Sequence, residues 1–102
     1  MFARLARYEV PPDRIPEAVE NLRTASVQMN ELEGMAGGYL LVDHESGMVA
    51  TLTVWENRPT LEASRMRASR LRQEAVRDVG GGVASADEFE IAADFAEAAA
   101  TT

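Results

Sequence analysis

Residues Met48 to Trp55 (MVATLTVW) form a run of eight with no charge on either face. As a strand, this run places Met48, Ala50, Leu52 and Val54 on one side. Val49, Thr51, Thr53 and Trp55 fall on the other. A strand with one wet face normally alternates apolar with charged residues, and this one does not. Both of its faces therefore call for cover. In a chain of 102 residues, helices can cover one face of a small sheet. The other face needs a second body, most simply another copy of the chain.

The length suits a single domain, and so small a domain gains core by pairing. Seventeen acidic residues against ten basic ones give a net charge of −7. A nucleic-acid backbone or an anionic membrane surface is a poor partner for such a chain. All ten basic residues are arginine, which we read as coding bias. No cysteine is present, so disulfides, thiolate nucleophiles and thiolate metal sites are excluded. No run reaches transmembrane length, and the first residues lack the regions of a signal peptide. The expected compartment is the cytoplasm.

Patterning predicts a first strand over residues 2–10, stopped by Pro11 and Pro12. Asp13 is the expected N-cap of a first helix, with Pro16 in its first turn. Ile15, Ala18, Val19, Leu22, Ala25, Ser26, Met29 and Leu32 recur at helical spacing, for about five turns ending near Gly34. Gly37 and Gly38 read as a loop, followed by a short strand, 39–42. A polar hairpin loop, 43–47, leads into the strand 48–55. Asn57 should cap a second helix that has Pro59 just inside and runs to about Val79. Gly80 to Gly82 end that helix, and 88–92 reads as a last, edge strand. Residues 1–93 make the expected domain, and 94–102 an alanine-rich, flexible tail. The order β-α-β-β-α-β is the split βαβ, or ferredoxin-like, α+β arrangement. Two helices lie on one face of a four-stranded antiparallel sheet. The other face stays open, so two such sheets facing each other would form a homodimer.

Three segments carry a family resemblance: Glu33 to Tyr39 with its glycines, Leu52-Thr53-Val54-Trp55, and the helix start Glu56 to Ser64. Through them residues 2–92 resemble the dimeric α+β barrel superfamily, and within it the antibiotic-biosynthesis monooxygenase-like domains. The resemblance implies dimerisation sheet to sheet into an α+β barrel. That superfamily includes cofactor-free monooxygenases acting on phenolic polycyclic compounds, haem-degrading enzymes and domains without a known role. It implies a pocket-lining role for Trp55; the alternative is an aromatic filling core at a strand end. Haem degradation is disfavoured. Those enzymes carry an asparagine on strand 1 and an iron-ligating histidine on helix 2, and neither is present here. The one histidine, His44, falls in the hairpin loop, where a solvated side chain is the plainer reading.

Arg65 and Arg72, seven apart on the second helix, border its apolar stripe. They either hold a phenolate or carboxylate substrate or cover apolar surface with their stems. Leu71 is the apolar neighbour expected to line the same pocket. Arg67, Arg70 and Arg77 point away. Tyr8 and Tyr39 are candidates to hold a substrate anion, or are core or interface residues. Cross-strand ion pairs account for Arg4 and Arg7. Asp87 and Glu88 lie near an exposed edge and lack matched partners for two-carboxylate catalysis. Phosphate loops and nucleophile elbows are missing. The reading is an enzyme that needs no cofactor, an oxygenase or related isomerase on a small aromatic or polyketide-like substrate. Its catalytic residues would be Trp55, Arg65 and Tyr8, and its substrate contacts Tyr39, Arg72 and Leu71. The alternative is a non-catalytic dimeric module that binds a small apolar ligand or simply assembles.

Overall fold

The computed structural model describes the backbone of residues 1–100 and side chains through residue 97. Its elements are β1 (Phe2–Glu9), α1 (Ile15–Met29), β2 (Met35–Asp43), β3 (Met48–Trp55), α2 (Arg58–Arg77), β4 (Gly82–Glu90) and α3 (Phe95–Ala100). The four strands form one antiparallel sheet in the order β2-β3-β1-β4. This is the ferredoxin-like arrangement expected from the sequence, with α1 and α2 on one face.

Register assigns the faces. Phe2, Arg4, Ala6 and Tyr8 of β1 stand opposite Trp55, Thr53, Thr51 and Val49 of β3. Paired residues share a face, and Arg4 bonds to α2, so this is the face under the helices. Tyr8, Val49, Leu22, Ile15 and Val76 are among the residues that fill the core there. The opposite face carries Leu5, Leu52, Val54, Leu41 and Tyr39. Val49 and Trp55 are fully buried, whereas Met48 and Tyr39 are 53% and 69% exposed. Within one chain, half of the uncharged strand is thus covered and half is not.

Several boundaries differ from the sequence expectation. Asp13 is not the cap of α1. Residues Pro12–Arg14 make a single 3-10 turn, and Arg14 precedes the helix without a side-chain cap. Pro16 does sit in the first turn, where its missing N–H costs nothing. α1 ends at Met29, so Leu32 lies beyond it. Gly37 and Gly38 belong to β2 rather than to a loop. The pairing with β3 shifts register between Met35 and Gly37, and a Cβ on Gly38 would lie 2.6 Å from the Leu52 carbonyl oxygen. The glycines let β2 start earlier than its apolar residues announce. β4 likewise starts at Gly82, not at 88, and ends at Glu90. The Asn57 cap is as expected: its side-chain oxygen accepts from the Thr60 N–H at 2.9 Å. The expected tail falls partly on α3 and partly, at Thr101 and Thr102, outside the described residues.

Candidate functional site

The face of the sheet beneath the helices is unusually polar at its centre. Arg4, Thr53, Ser64 and Arg72 are all buried there. Buried polar groups are costly unless bonded, so their partners matter. Trp55 donates its indole N–H to the Thr53 hydroxyl oxygen at 3.0 Å. The Tyr8 and Thr51 hydroxyls meet at 2.7 Å. Burial, the largest influence on Tyr8, raises its pKa above the ordinary value, so it stays a neutral phenol. The Arg4 guanidinium lies 5.5 Å from the Trp55 ring centre. It donates to the Ser64 hydroxyl at 3.2 Å, the Leu61 carbonyl at 3.0 Å and Glu88 Oε2 at 2.8 Å.

Two concavities flank this polar layer. The larger, about 930 Å³, lies between α1 and strands β2 and β3. Its walls include Ile15, Val19, Leu22, Met29, Leu40 and Val42, and Thr51 and Thr53 lie on its sheet side. Glu20, Arg23 and His44 border it as well. An indole nitrogen can only donate, so Thr53 Oγ1 accepts from Trp55 and keeps its own proton free. With Tyr8 donating, the same holds for Thr51. Two hydroxyl donors, two positions apart on one strand and so roughly 6.6 Å apart, then stand in a mainly apolar wall. The smaller concavity, about 670 Å³, is an open groove between α2 and β4. It is lined by Arg4, Arg65, Arg70, Arg72, Ser69 and Glu88, among others.

The site residues expected from the sequence are divided between these places. Arg65 and Arg72 share the groove, as their spacing suggests, and Arg70, expected to point away, lines it as well. Tyr8 and Trp55 lie in the polar layer and reach the larger cavity through the two threonines. Tyr39 borders that cavity but is mostly exposed, with its register partner Leu52 on the open face. Leu71 is half-buried against the core and lines neither concavity. The ion pair Arg4–Glu88 crosses from β1 to β4 as strand pairing requires, and Arg7 lies 3.9 Å from Asp87. Glu88 has a second cationic partner. Its carboxylate also accepts from Arg65 at 2.6 Å. The hydrogen bonds from Arg65 lower its pKa most, with Arg4 adding to them, and together they bring it to about 2. Arg4, Thr51, Thr53 and Glu88 are the residues that sequence reasoning missed. The signal for the threonines was present, since both share the Trp55 face of an otherwise apolar strand. No group of three or more His, Cys, Asp or Glu side chains among the described residues is placed to hold a metal ion.

Comparison with solved structures places this architecture. It superposes on a candidate antibiotic biosynthesis monooxygenase from Deinococcus radiodurans with TM-score 0.76, at 9% identity, covering 92% of this chain and 95% of that one. A mutant of SnoaB, a cofactor-independent oxygenase from Streptomyces nogalater, matches with TM-score 0.68, at 12% identity, over 91% and 94% of the two chains. The chain has the ferredoxin-like fold of the antibiotic biosynthesis monooxygenase-like proteins. At these identities the likeness to that fold concerns architecture, not activity. No protein-family model matches the sequence. Among curated proteins, the uncharacterized proteins Rv2558 and Rv2557 of Mycobacterium tuberculosis are similar. They are 31% identical over 86 residues and 27% over 85, each match covering 82% of this chain. The matches take up 36% and 38% of those relatives, so the chain spans little more than a third of their length. No helix among the described residues is long and apolar enough to cross a membrane.

Proposed function

We propose that the chain is a cofactor-independent oxygenase of a small aromatic or polyketide-like substrate, acting as a homodimer in the cytoplasm. The observation that carries this reading is the pair of threonine hydroxyls in the larger cavity, each hydrogen-bonded to a buried aromatic side chain. The cavity has the size and apolar walls that suit a ring system. In this chemistry the substrate gives a proton to water, its anion passes one electron to dioxygen, and the radical pair joins into a peroxide that takes up a proton and loses water to leave the oxidised product. Thr51 and Thr53 would donate to oxygens on which that negative charge collects. Tyr8 and Trp55 hold the two hydroxyls in orientation and do not themselves react. The fold shared with SnoaB adds support, because that protein is a cofactor-independent oxygenase.

A second reading has its own observation. Among the described residues neither threonine hydroxyl is hydrogen-bonded to a carboxylate or imidazole, and Glu20 and His44 line the same cavity from α1 and the hairpin loop. That suits a module that binds a small apolar ligand without transforming it. Oxygen uptake with a panel of anthrones and hydroquinones separates the two. Uptake above the uncatalysed rate is expected, falling about a hundredfold in Thr53→Val and less in Trp55→Phe. Saturable binding of the same compounds without uptake would establish the binding module instead.

A further inference from the structure

The groove between α2 and β4 has a charge balance that its own residues leave open. Four of the ten arginines of the chain line it (Arg4, Arg65, Arg70 and Arg72), and only one carboxylate does, Glu88. Glu88 is occupied by Arg4 and Arg65. Arg70 and Arg72 form no ion pair among the described residues. Arg72 is the decisive group. It is 4% exposed, yet its Nε–H has no hydrogen-bond partner. A guanidinium cannot shed its proton at neutral pH, so the charge remains. Burying a cation without a partner is among the more costly arrangements in a protein, and the nearby Arg4 cation adds repulsion. The excess of positive charge also stands in a chain whose net charge is −7.

We infer that this groove binds the oxyanion of a small acid, a carboxylate or a phosphate, with Arg72 as its principal ligand. The Arg72 guanidinium offers a fork that matches two oxygens of one anion. Arg70 supplies a second cation from the groove wall, and the Ser69 hydroxyl and Gln73 amide supply neutral donors. Glu88 sets one negative charge against the two of Arg4 and Arg65, and its pull on Arg72 is smaller than the penalty of burial, so the groove keeps an excess of positive charge. The groove shares no lining residue with the cavity proposed for oxygenation and stands or falls apart from it.

The direct test is a titration of ¹⁵N-labelled protein, observing the Arg72 Nε–H resonance together with the backbone amides of residues 69–73, which also report binding in the variants. Sodium benzoate and inorganic phosphate are the two probes, with ionic strength held constant by sodium chloride. A saturable shift of that resonance with either probe is expected, and the tighter probe tells carboxylate from phosphate. Arg72→Gln should weaken binding by at least about tenfold, the value of a charge-assisted pair. Arg70→Gln, at an exposed position that leaves the fold alone, should weaken it severalfold. An Nε–H resonance that chloride alone moves as far as either probe would overturn the inference. So would binding that both variants leave unchanged.

Discussion

Glu88 holds two guanidinium groups at once, Arg4 from the adjacent strand and Arg65 from α2. Its carboxyl titrates near 2 in the folded chain, against an ordinary 4.5. A lowered carboxyl contributes stability that is complete above the unfolded value and is lost as pH falls toward the folded one. The contribution of Glu88 is therefore full at neutral pH and disappears between about 4.5 and about 2. Solvent reaches the carboxylate and screens it, so the loss amounts to ~1–2 kcal/mol. Urea denaturation of wild type and Glu88→Gln should show that gap at pH 7 and little of it at pH 2.5. An unchanged gap would mean that packing of the side chain, not its charge, is what matters. Sequence alone showed Glu88 as a charge on an edge strand. Its second partner comes from α2 by tertiary packing, 23 residues earlier in the chain, and no local pattern encodes that.

Helix α2 and strand β4 are joined by a turn that depends on close approach. Gly80 has φ +77°, and the Gly81 N–H donates back to the Val76 carbonyl at 2.8 Å. This closes the end of the helix in the manner that glycine favours. A Cβ on Gly81 would stand 2.6 Å from the Glu9 carbonyl oxygen and 3.2 Å from that of Val76. Both are backbone atoms, so relief requires β1 and α2 to part. Gly81→Ala should cost about 2 kcal/mol or more by urea denaturation, far beyond the usual glycine-to-alanine effect. A neutral result would show that the chain reversal is looser than its geometry. Elements with strong internal periodicity, α1 and α2, were readable from spacing, as was the capping Asn57. Strand β2 was not readable in full. Its first residues, Met35 to Gly38, lack alternation because the glycines answer to the backbone of β3 rather than to a side-chain pattern.

The molecule as a whole presents one sheet face to its helices and leaves the other bare. Leu5, Leu41, Leu52, Val54, Tyr39 and Phe89 share that bare face. Phe89 is 53% exposed, and a patch of this make-up on a monomer marks an interface. If two copies meet there, Leu52→Asp should give a monomer by light scattering while near-native far-UV circular dichroism persists. A dimer that survived the buried charges would place the contact elsewhere. The lack of charge on both faces of β3 foretold this bare surface, because a strand pattern reports burial on each face separately. It did not foretell that Arg65 and Arg72 would open to a groove between α2 and β4 while the threonines beside Trp55 opened to a cavity beside α1. That division follows from how α1 and α2 sit over the sheet. The same topology leaves β2 and β4 as the outer strands, each with an outer row of backbone groups open to another chain. The first begins at an irregular step around Gly37, and the second carries Asp87, Glu88 and Glu90 in quick succession. A ribbon of copies joined edge to edge would meet a broken ladder on one side and like charges on the other. Growth into fibres is thereby hindered at both edges.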